Sequence, residues 1–460
     1  MATRTLAHWA VSLNDIPCST RSAAVKSLYN YIGCAIGGSN HPTTKKARDA
    51  LSPFFGKPTS TLLGAQSPCF SKADPQHAAL LNGIASHVHD YDDTHLATII
   101  HPAGPIASAL LAWAECQGGV SGQAMIVALV IGIETSCKLG RAIWPHHYDI
   151  GWHITSTTGA IGAAVAVGKL MELDDEQMMH AIGLASVQVV GLREMFGSDT
   201  KSFHPGRAAS SGLLAALLAQ KGYTSSEKAL EAKRGWANVV AGGGVPRLDD
   251  LLASLGQTWE VEANSFKPFP CGIVCHPAID AAVQCHHELR SKSPALPLEN
   301  IEAVELRVHP LVVELTSKEN PQDGLESKFS VFHGCAVGLL SGKAGPAQYA
   351  DDVVTSREVI AMREKVKIIS DDSLLADEVH LSLRHQRGMV IEKHVAHAIG
   401  SAHVPMTGQQ LTDKFVDQTS LVLGADGAKA ASDAAWTIAE VDSVETVFPM
   451  FRGRPRGTAR

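Results

Sequence analysis

Between His87 and Pro102 the chain reads His-Val-His-Asp-Tyr-Asp-Asp-Thr-His-Leu-Ala-Thr-Ile-Ile-His-Pro, which sets four imidazoles and three carboxylates within fifteen residues. Imidazoles titrate near neutrality and carboxylates well below it, so such a run can move protons and hold charge. Burying that density is costly unless the groups pair or act. The flanks, residues 78–85 and 105–114, are apolar, rich in small side chains, and read as buried helices. The polar run is then a break between two helices, opening toward an interior cavity. A solvated loop supplying Asp and Thr caps is the plainer alternative.

Three more stretches repeat this mixture. Asp149-Ile150-Gly151-Trp152-His153-Ile154-Thr155-Ser156-Thr157-Thr158 puts an imidazole and hydroxyls ahead of a helix, whose free N–H groups make an anion seat. A cap or packing role for His153 competes with that reading. In Asp199-Thr200-Lys201-Ser202-Phe203-His204-Pro205-Gly206-Arg207, three basic side chains stand at a helix start, where the dipole prefers negative charge. An anionic ligand among them resolves the conflict, and so does a hydrated turn. In Phe266-Lys267-Pro268-Phe269-Pro270 the prolines restrict the backbone around Lys267, holding a point charge suited to a carboxylate. The same prolines fit a linker at a domain boundary.

Composition narrows the class. A chain of 460 residues, 45% apolar, exceeds one ordinary core and predicts two domains. Its net charge of −7, without a basic stripe, argues against nucleic-acid binding. Nine scattered cysteines, an odd number, fit a reducing compartment. Cys271 and Cys275 have no second pair at metal spacing, which argues against structural zinc, and no cysteine set suits an iron–sulfur cluster. No run of eighteen apolar residues occurs and the first ten residues lack a signal-peptide core, so the expectation is a cytoplasmic protein without a membrane partner.

These groups need elements to position them. Helical spacing marks residues 21–36, then 120–143 opened by Ser121-Gly122, then 159–173 and 213–221. Residues 57–64 read as a short extended segment. After Trp259 prolines multiply, and residues 301–308, 377–384 and 389–395 alternate as half-buried strands do, the last two joined by a turn at 386–388. Helical spacing returns at 409–418 and 432–439, and 452–457 reads as a loose basic tail.

At its four polar clusters the chain resembles the MmgE/PrpD family, which includes 2-methylcitrate dehydratases, cis-aconitate decarboxylases and iminodisuccinate epimerases. The matching strings are Asp90-Tyr91-Asp92-Asp93-Thr94 with His101-Pro102, Gly151-Trp152-His153, Lys201 through Ala209, and Phe266 through Pro270. The resemblance implies a mostly α protein: a large all-α domain from residues 1–266 and 401–460, and a smaller α/β lid over 267–400. It also implies a homodimer working without cofactor or metal on a small anionic di- or tricarboxylate, held between the domains.

Carried over residue by residue, the resemblance makes Asp90, Thr94, His101 and His153 catalytic, and assigns substrate binding to Lys201, Lys267, His204 and Arg207. Two departures separate the chain from the animal decarboxylases. One extra residue precedes His101, and His309-Pro310-Leu311-Val312-Val313-Glu314 stands where their lid carries a tyrosine. The expected activity is that of a lyase, either decarboxylase or dehydratase. An iminodisuccinate-type epimerase is the alternative among enzymes, and a non-catalytic carboxylate binder is the alternative outside them.

Overall fold

Apolar periodicity broken by polar and Gly/Pro punctuation produces helices close to those expected, with ends moved by capping and by hydroxyl back-bonding. The computed structural model describes residues 1–66, 70–292, 296–386, 388–401 and 403–453. Cys69, Arg387 in the expected turn, and the expected tail from residue 454 onward lie outside the described residues.

Helix α1 (Cys18–Gly38) covers the first predicted segment. Helix α2 (Pro75–His87) starts where the Asp74 carboxylate accepts from the N–H groups of Gln76 and His77, and stops where the polar run begins. Helices α3 (Ala103–Gln117) and α4 (Gly122–Ile143) follow, the latter capped by Ser121 on the Ala124 N–H.

Two helices begin earlier than the sequence pattern predicts. Helix α5 (Ile154–Leu170) takes in Thr155 to Thr158, whose expected place was ahead of the helix. Thr157 and Thr158 donate their hydroxyls to the Ile154 carbonyl at 3.1 and 2.9 Å, so these side chains are satisfied inside the first turn. Helix α6 (Asp199–Gln220) likewise contains Lys201, His204 and Arg207 rather than starting after them, and runs through Pro205. It packs against α5, α2 and α3.

Close packing of α6 on α2 rests on glycine. A Cβ on Gly206 would stand 2.4 Å from the Leu80 carbonyl oxygen, and one on Gly83 would stand 2.5 Å from the Gly206 Cα. Only bare backbone permits that approach.

Two short strands, β1 (Asp93–His95) and β2 (Asn264–Phe266), pair antiparallel far apart in sequence. The expected extended segment at 57–64 is reduced to Ser60–Thr61, paired with Lys72–Ala73. After β2 the chain enters the smaller unit, where α7 (His276–Ser291) lies against a four-stranded sheet. Its strands are β3 (Ile301–Val308), β4 (Val366–Ser370), β5 (Val379–His385) and β6 (Val390–Val395), in the order β4-β3-β5-β6. The β3–β5 and β5–β6 pairs are antiparallel; β4, which alternation did not reveal, pairs parallel to β3. Helix α8 (Val331–Ser341) packs on α7.

The protein is mostly α and has two apolar cores. One draws on residues 2–266 and 406–451, the other on residues 271–395. The two crossings between them lie side by side, with the Phe266 N–H donating to the Gly400 carbonyl at 3.2 Å. Gly400 has φ +86°, and a Cβ there would lie 2.2 Å from the Phe266 carbonyl oxygen. The closing helix α9 (Gly408–Trp436) is one element where two were expected, interrupted at Gly424 with φ +75°. It returns to α1, where Trp436 stacks on Tyr29 at 3.9 Å. Among the described residues no helix is long and apolar enough to cross a membrane.

Candidate active site

The β1–β2 ribbon does the essential positioning. Its register, Asp93 opposite Phe266 and Thr94 opposite Ser265, brings Lys267 beside Asp90. Lys201 arrives on α6. Its ammonium donates to Asp90 Oδ1 at 2.8 Å, and that of Lys267 donates to the same oxygen at 2.7 Å and to the Asp90 carbonyl at 3.1 Å. All three side chains are buried. Burial disfavours the Asp90 anion, yet the adjacent Lys201 and Lys267 charges outweigh it and hold Asp90 well below the usual carboxylate range. Burial lowers the Lys201 ammonium despite Asp90.

Each ammonium has three donors. With Asp90 taking one from Lys201 and two from Lys267, three have no partner among the described residues and can serve another anion. Asp90 itself has φ +51°, in the left-handed region that Asp tolerates better than most residues. Nearby Ile99 has φ +57°, an outlier for a β-branched residue, and also lines the site.

His101 Nδ1 lies 2.8 Å from the Asp93 carbonyl, 3.3 Å from Thr94 Oγ1 and 3.4 Å from Asp92 Oδ1. A carbonyl only accepts, so Nδ1 carries the proton and Nε2 of the neutral ring presents a lone pair, 4.0 Å from Asp90 Oδ1. Burial, aided by the nearby Lys267, His87 and Lys201, pushes this imidazole down to about 3 against the pull of Asp92. His153 faces His204 through Nδ1 atoms 2.9 Å apart, one donating and one accepting. Its ring centre is 6.5 Å from that of His101. Burial first, then the neighbouring His204, keeps His153 well below its ordinary value, and burial brings His204 down to about 4.

These groups border one cavity at the meeting of the two domains. Asp90, His101, Tyr148, His153, Lys201 and Lys267 supply its charged and titratable lining. Most of the rest is apolar: Ile99 and Phe196 from the larger domain, Ile273, Val274, Leu315 and Phe329 from the smaller one. Phe196 and Phe329 stack at 5.5 Å across the domain boundary, with the Lys201 ammonium 5.4 and 5.3 Å from their centres.

The structure thus gathers Asp90, His101, His153, Lys201 and Lys267 around one cavity, with Thr94 and His204 directly behind the two imidazoles. Arg207 is exposed on α6 and stands outside the lining. The lysines meet Asp90, whereas His101 is oriented by the Asp93 carbonyl.

Sequence reasoning did not assign roles to His87, Asp92 or Lys328. Asp92 Oδ2 accepts from His87 Nδ1 at 2.7 Å and so orients that imidazole, while its other oxygen lies 3.4 Å from His101 Nδ1. The spacing of His87 and Asp92 across a helix end was the available signal. Lys328 donates to the carbonyls of His89 and Pro270 at 3.1 and 3.3 Å, and burial lowers it to about 8. No local pattern marks it. Asp93 is pushed up to about 7 by burial and by the Asp92 charge.

Among the described residues two overlapping sets lie close enough to hold a metal ion, His87 with His101 and His153, and His87 with Asp90, Asp92 and His101. Two ammonium groups already occupy Asp90 Oδ1, supplying there the positive charge that a divalent ion would bring and repelling such an ion.

A large helical domain and a smaller α/β domain, meeting at a cavity lined by lysine and histidine, define the class of protein. The chain belongs to the MmgE/PrpD family: the family's N-terminal domain matches residues 4–249 and its C-terminal domain residues 269–439. It is an enzyme of that family, similar over most of its length to lyases. A cis-aconitate decarboxylase of Aspergillus terreus is 27% identical over 440 residues, 90% of this chain and 88% of its own. A human cis-aconitate decarboxylase is 24% identical over 390 residues, 82% of this chain and 80% of its own. A 2-methylcitrate dehydratase of Salmonella typhimurium is 25% identical over 369 residues, 76% of this chain and 73% of its own.

Proposed function

We propose that this enzyme decarboxylates a small unsaturated tricarboxylate of the cis-aconitate type, using its own side chains and no cofactor. The observation that carries the reading is the placement of Lys201, Lys267 and two imidazoles on a cavity whose remaining lining is mostly apolar. Spare donors on the two lysines hold the carboxylates that stay. The apolar lining desolvates the one that leaves, favouring uncharged carbon dioxide over a buried anion.

In the reaction the carbon–carbon bond to one carboxylate breaks and carbon dioxide leaves without the bonding pair. That pair spreads over the adjacent double bond and a carboxylate held by lysine. A proton delivered to carbon completes the product. A bound tricarboxylate adds negative charge beside His101 and His153, which favours their protonated forms and arms one of them as the acid. Thr94 and the Asp93 carbonyl keep His101 oriented, and His204 does so for His153.

Dehydration of a 2-methylcitrate-type acid is the second reading, favoured by the presence of two imidazoles able to act as base and acid. Proton NMR in deuterated buffer separates them, with cis-aconitate, 2-methylcitrate, citrate and iminodisuccinate supplied in turn. A five-carbon unsaturated diacid carrying deuterium on carbon supports decarboxylation. Water loss from 2-methylcitrate without carbon dioxide establishes dehydration instead, and exchange without net conversion establishes epimerisation.

The proposal includes a homodimer in the cytoplasm. Exposed Ile150, Leu192, Val239 and Val245 support the dimer: Leu192 bridges to Trp152, and Ile150 packs at Gly242. Free thiols at Cys34, Cys137, Cys271, Cys275, Cys285 and Cys335 support a reducing compartment.

A further inference from the structure

The outer face of the smaller domain's sheet carries a second cluster of donor atoms, none of which lines the catalytic cavity. In the β5–β6 register His380 stands directly opposite His394. Cross-strand partners on one face lie close enough for their side chains to meet. Here the rings lie parallel, 4° between planes, with centres 4.1 Å apart. Their Nε2 atoms both turn to one oxygen of Glu378, just ahead of β5: Oε1 is 2.8 Å from His394 and 3.7 Å from His380. One donor atom from each residue lies within 4.8 Å of the others.

We propose that Glu378, His380 and His394 form a surface site for a first-row divalent transition metal. Two imidazole nitrogens and one carboxylate oxygen suit Zn²⁺, Ni²⁺ or Cu²⁺, whereas Mg²⁺ and Ca²⁺ take all-oxygen sets. The imidazole side chains are about half exposed, at 47% for His380 and 50% for His394, so water completes the coordination. Arg307 is the one cation facing the pair on the neighbouring strand, opposite His380 in the β3–β5 register. Its guanidinium is directed to Asp371 at 3.5 Å, which offsets its charge. A bound ion would tie the β5–β6 hairpin to the segment that leads into it, stabilising the folded sheet by mass action.

The test uses the full-length protein stripped of metal with chelator. Zn²⁺ is titrated by calorimetry, and Cu²⁺ is followed by electron paramagnetic resonance. Wild type is expected to take up one equivalent that His380→Ala/His394→Ala does not, with Cu²⁺ giving a two-nitrogen hyperfine pattern that the double variant loses. Glu378→Gln, which keeps the shape of the side chain, should weaken Zn²⁺ by about 10-fold or more, since removing a ligand costs at least as much as removing a group that orients one. Zn²⁺ should raise the melting temperature of wild type and leave that of the double variant unmoved. His397→Ala, in the separate Asp377, His397 and His403 cluster, is the comparator. Unchanged stoichiometry in the double variant, or loss of this equivalent in His397→Ala alone, overturns the assignment.

Discussion

Lys267 grips Asp90 at two points, its ammonium donating to side-chain Oδ1 at 2.7 Å and to the main-chain carbonyl at 3.1 Å. The contact fixes both the carboxylate and the left-handed backbone turn that presents it. Replacing Asp90 by Asn keeps the shape and removes the charge, leaving Lys201 and Lys267 without a buried counter-ion. Folding stability should fall by about 3 kcal/mol. A tricarboxylate, by supplying the missing charge, should recover part of that loss in a thermal-shift measurement. Equal destabilisation with and without ligand would contradict anion binding by these lysines.

His101 and His153 are the two proton carriers in the proposed reaction. His101→Asn and His153→Ala should each lower kcat by about 10²-fold or more, with much smaller changes in KM. Steady-state kinetics on the substrate identified by NMR checks this. Near-normal turnover in either variant would remove that residue from its role.

Gly206 tests whether helix spacing sets the site. An added methyl meets the Leu80 carbonyl at 2.4 Å and Ile84 at 2.9 Å, so Gly206→Ala must separate α6 from α2. The expected cost is about 1–3 kcal/mol. Because α6 carries Lys201 and His204 while α2 ends at His87, turnover should fall as well. A variant as stable and as active as wild type would show that the interface yields freely.

Burial sets the direction of pH dependence. His101 is held down to about 3, and His41, His147, His204 and His333 to about 4. These rings are neutral when folded and take up protons on unfolding below about 6.5, so the unfolded chain binds more protons there. Stability is then lost as pH falls from about 6.5 toward 4, by about 1.4 kcal/mol per pH unit for each unopposed ring. Asp93 and Glu134, both raised to about 7 by burial, hold protons when folded and oppose this trend across the same window. Five rings outnumber two carboxyls, so the urea midpoint should decrease from pH 7 to pH 5. A flat or rising midpoint would contradict the buried neutral histidines.

Arg207 lies outside the cavity lining. Arg207→Ala should therefore leave kcat/KM at the wild-type value and change stability by no more than about 0.5 kcal/mol. A large rise in KM would return Arg207 to substrate binding.

Local chemistry makes much of the architecture legible in the sequence. Apolar spacing locates α1 through α4 within a few residues, and alternation locates β3, β5 and β6, because each pattern reports which face a segment buries. Helix starts are less legible at residues 154 and 199. Ser and Thr signal a cap when their hydroxyls bond forward to free N–H groups, but Thr157 and Thr158 bond backward to Ile154, and sequence does not distinguish the two. Strand β4 is hidden because its burial does not alternate cleanly.

The sequence by itself determined the residue types gathered in the polar clusters and their order along the chain, since these are matters of composition and spacing. Tertiary structure alone decided which of those groups touch. The β1–β2 pairing delivers Lys267 to Asp90, the glycine contact of α6 on α2 sets Lys201 and His204 at their distances, and the second domain contributes Phe329 and Lys328. Long-range pairing of this kind depends on register and on surfaces that fit, and neither is written in the residues next to the ones that meet.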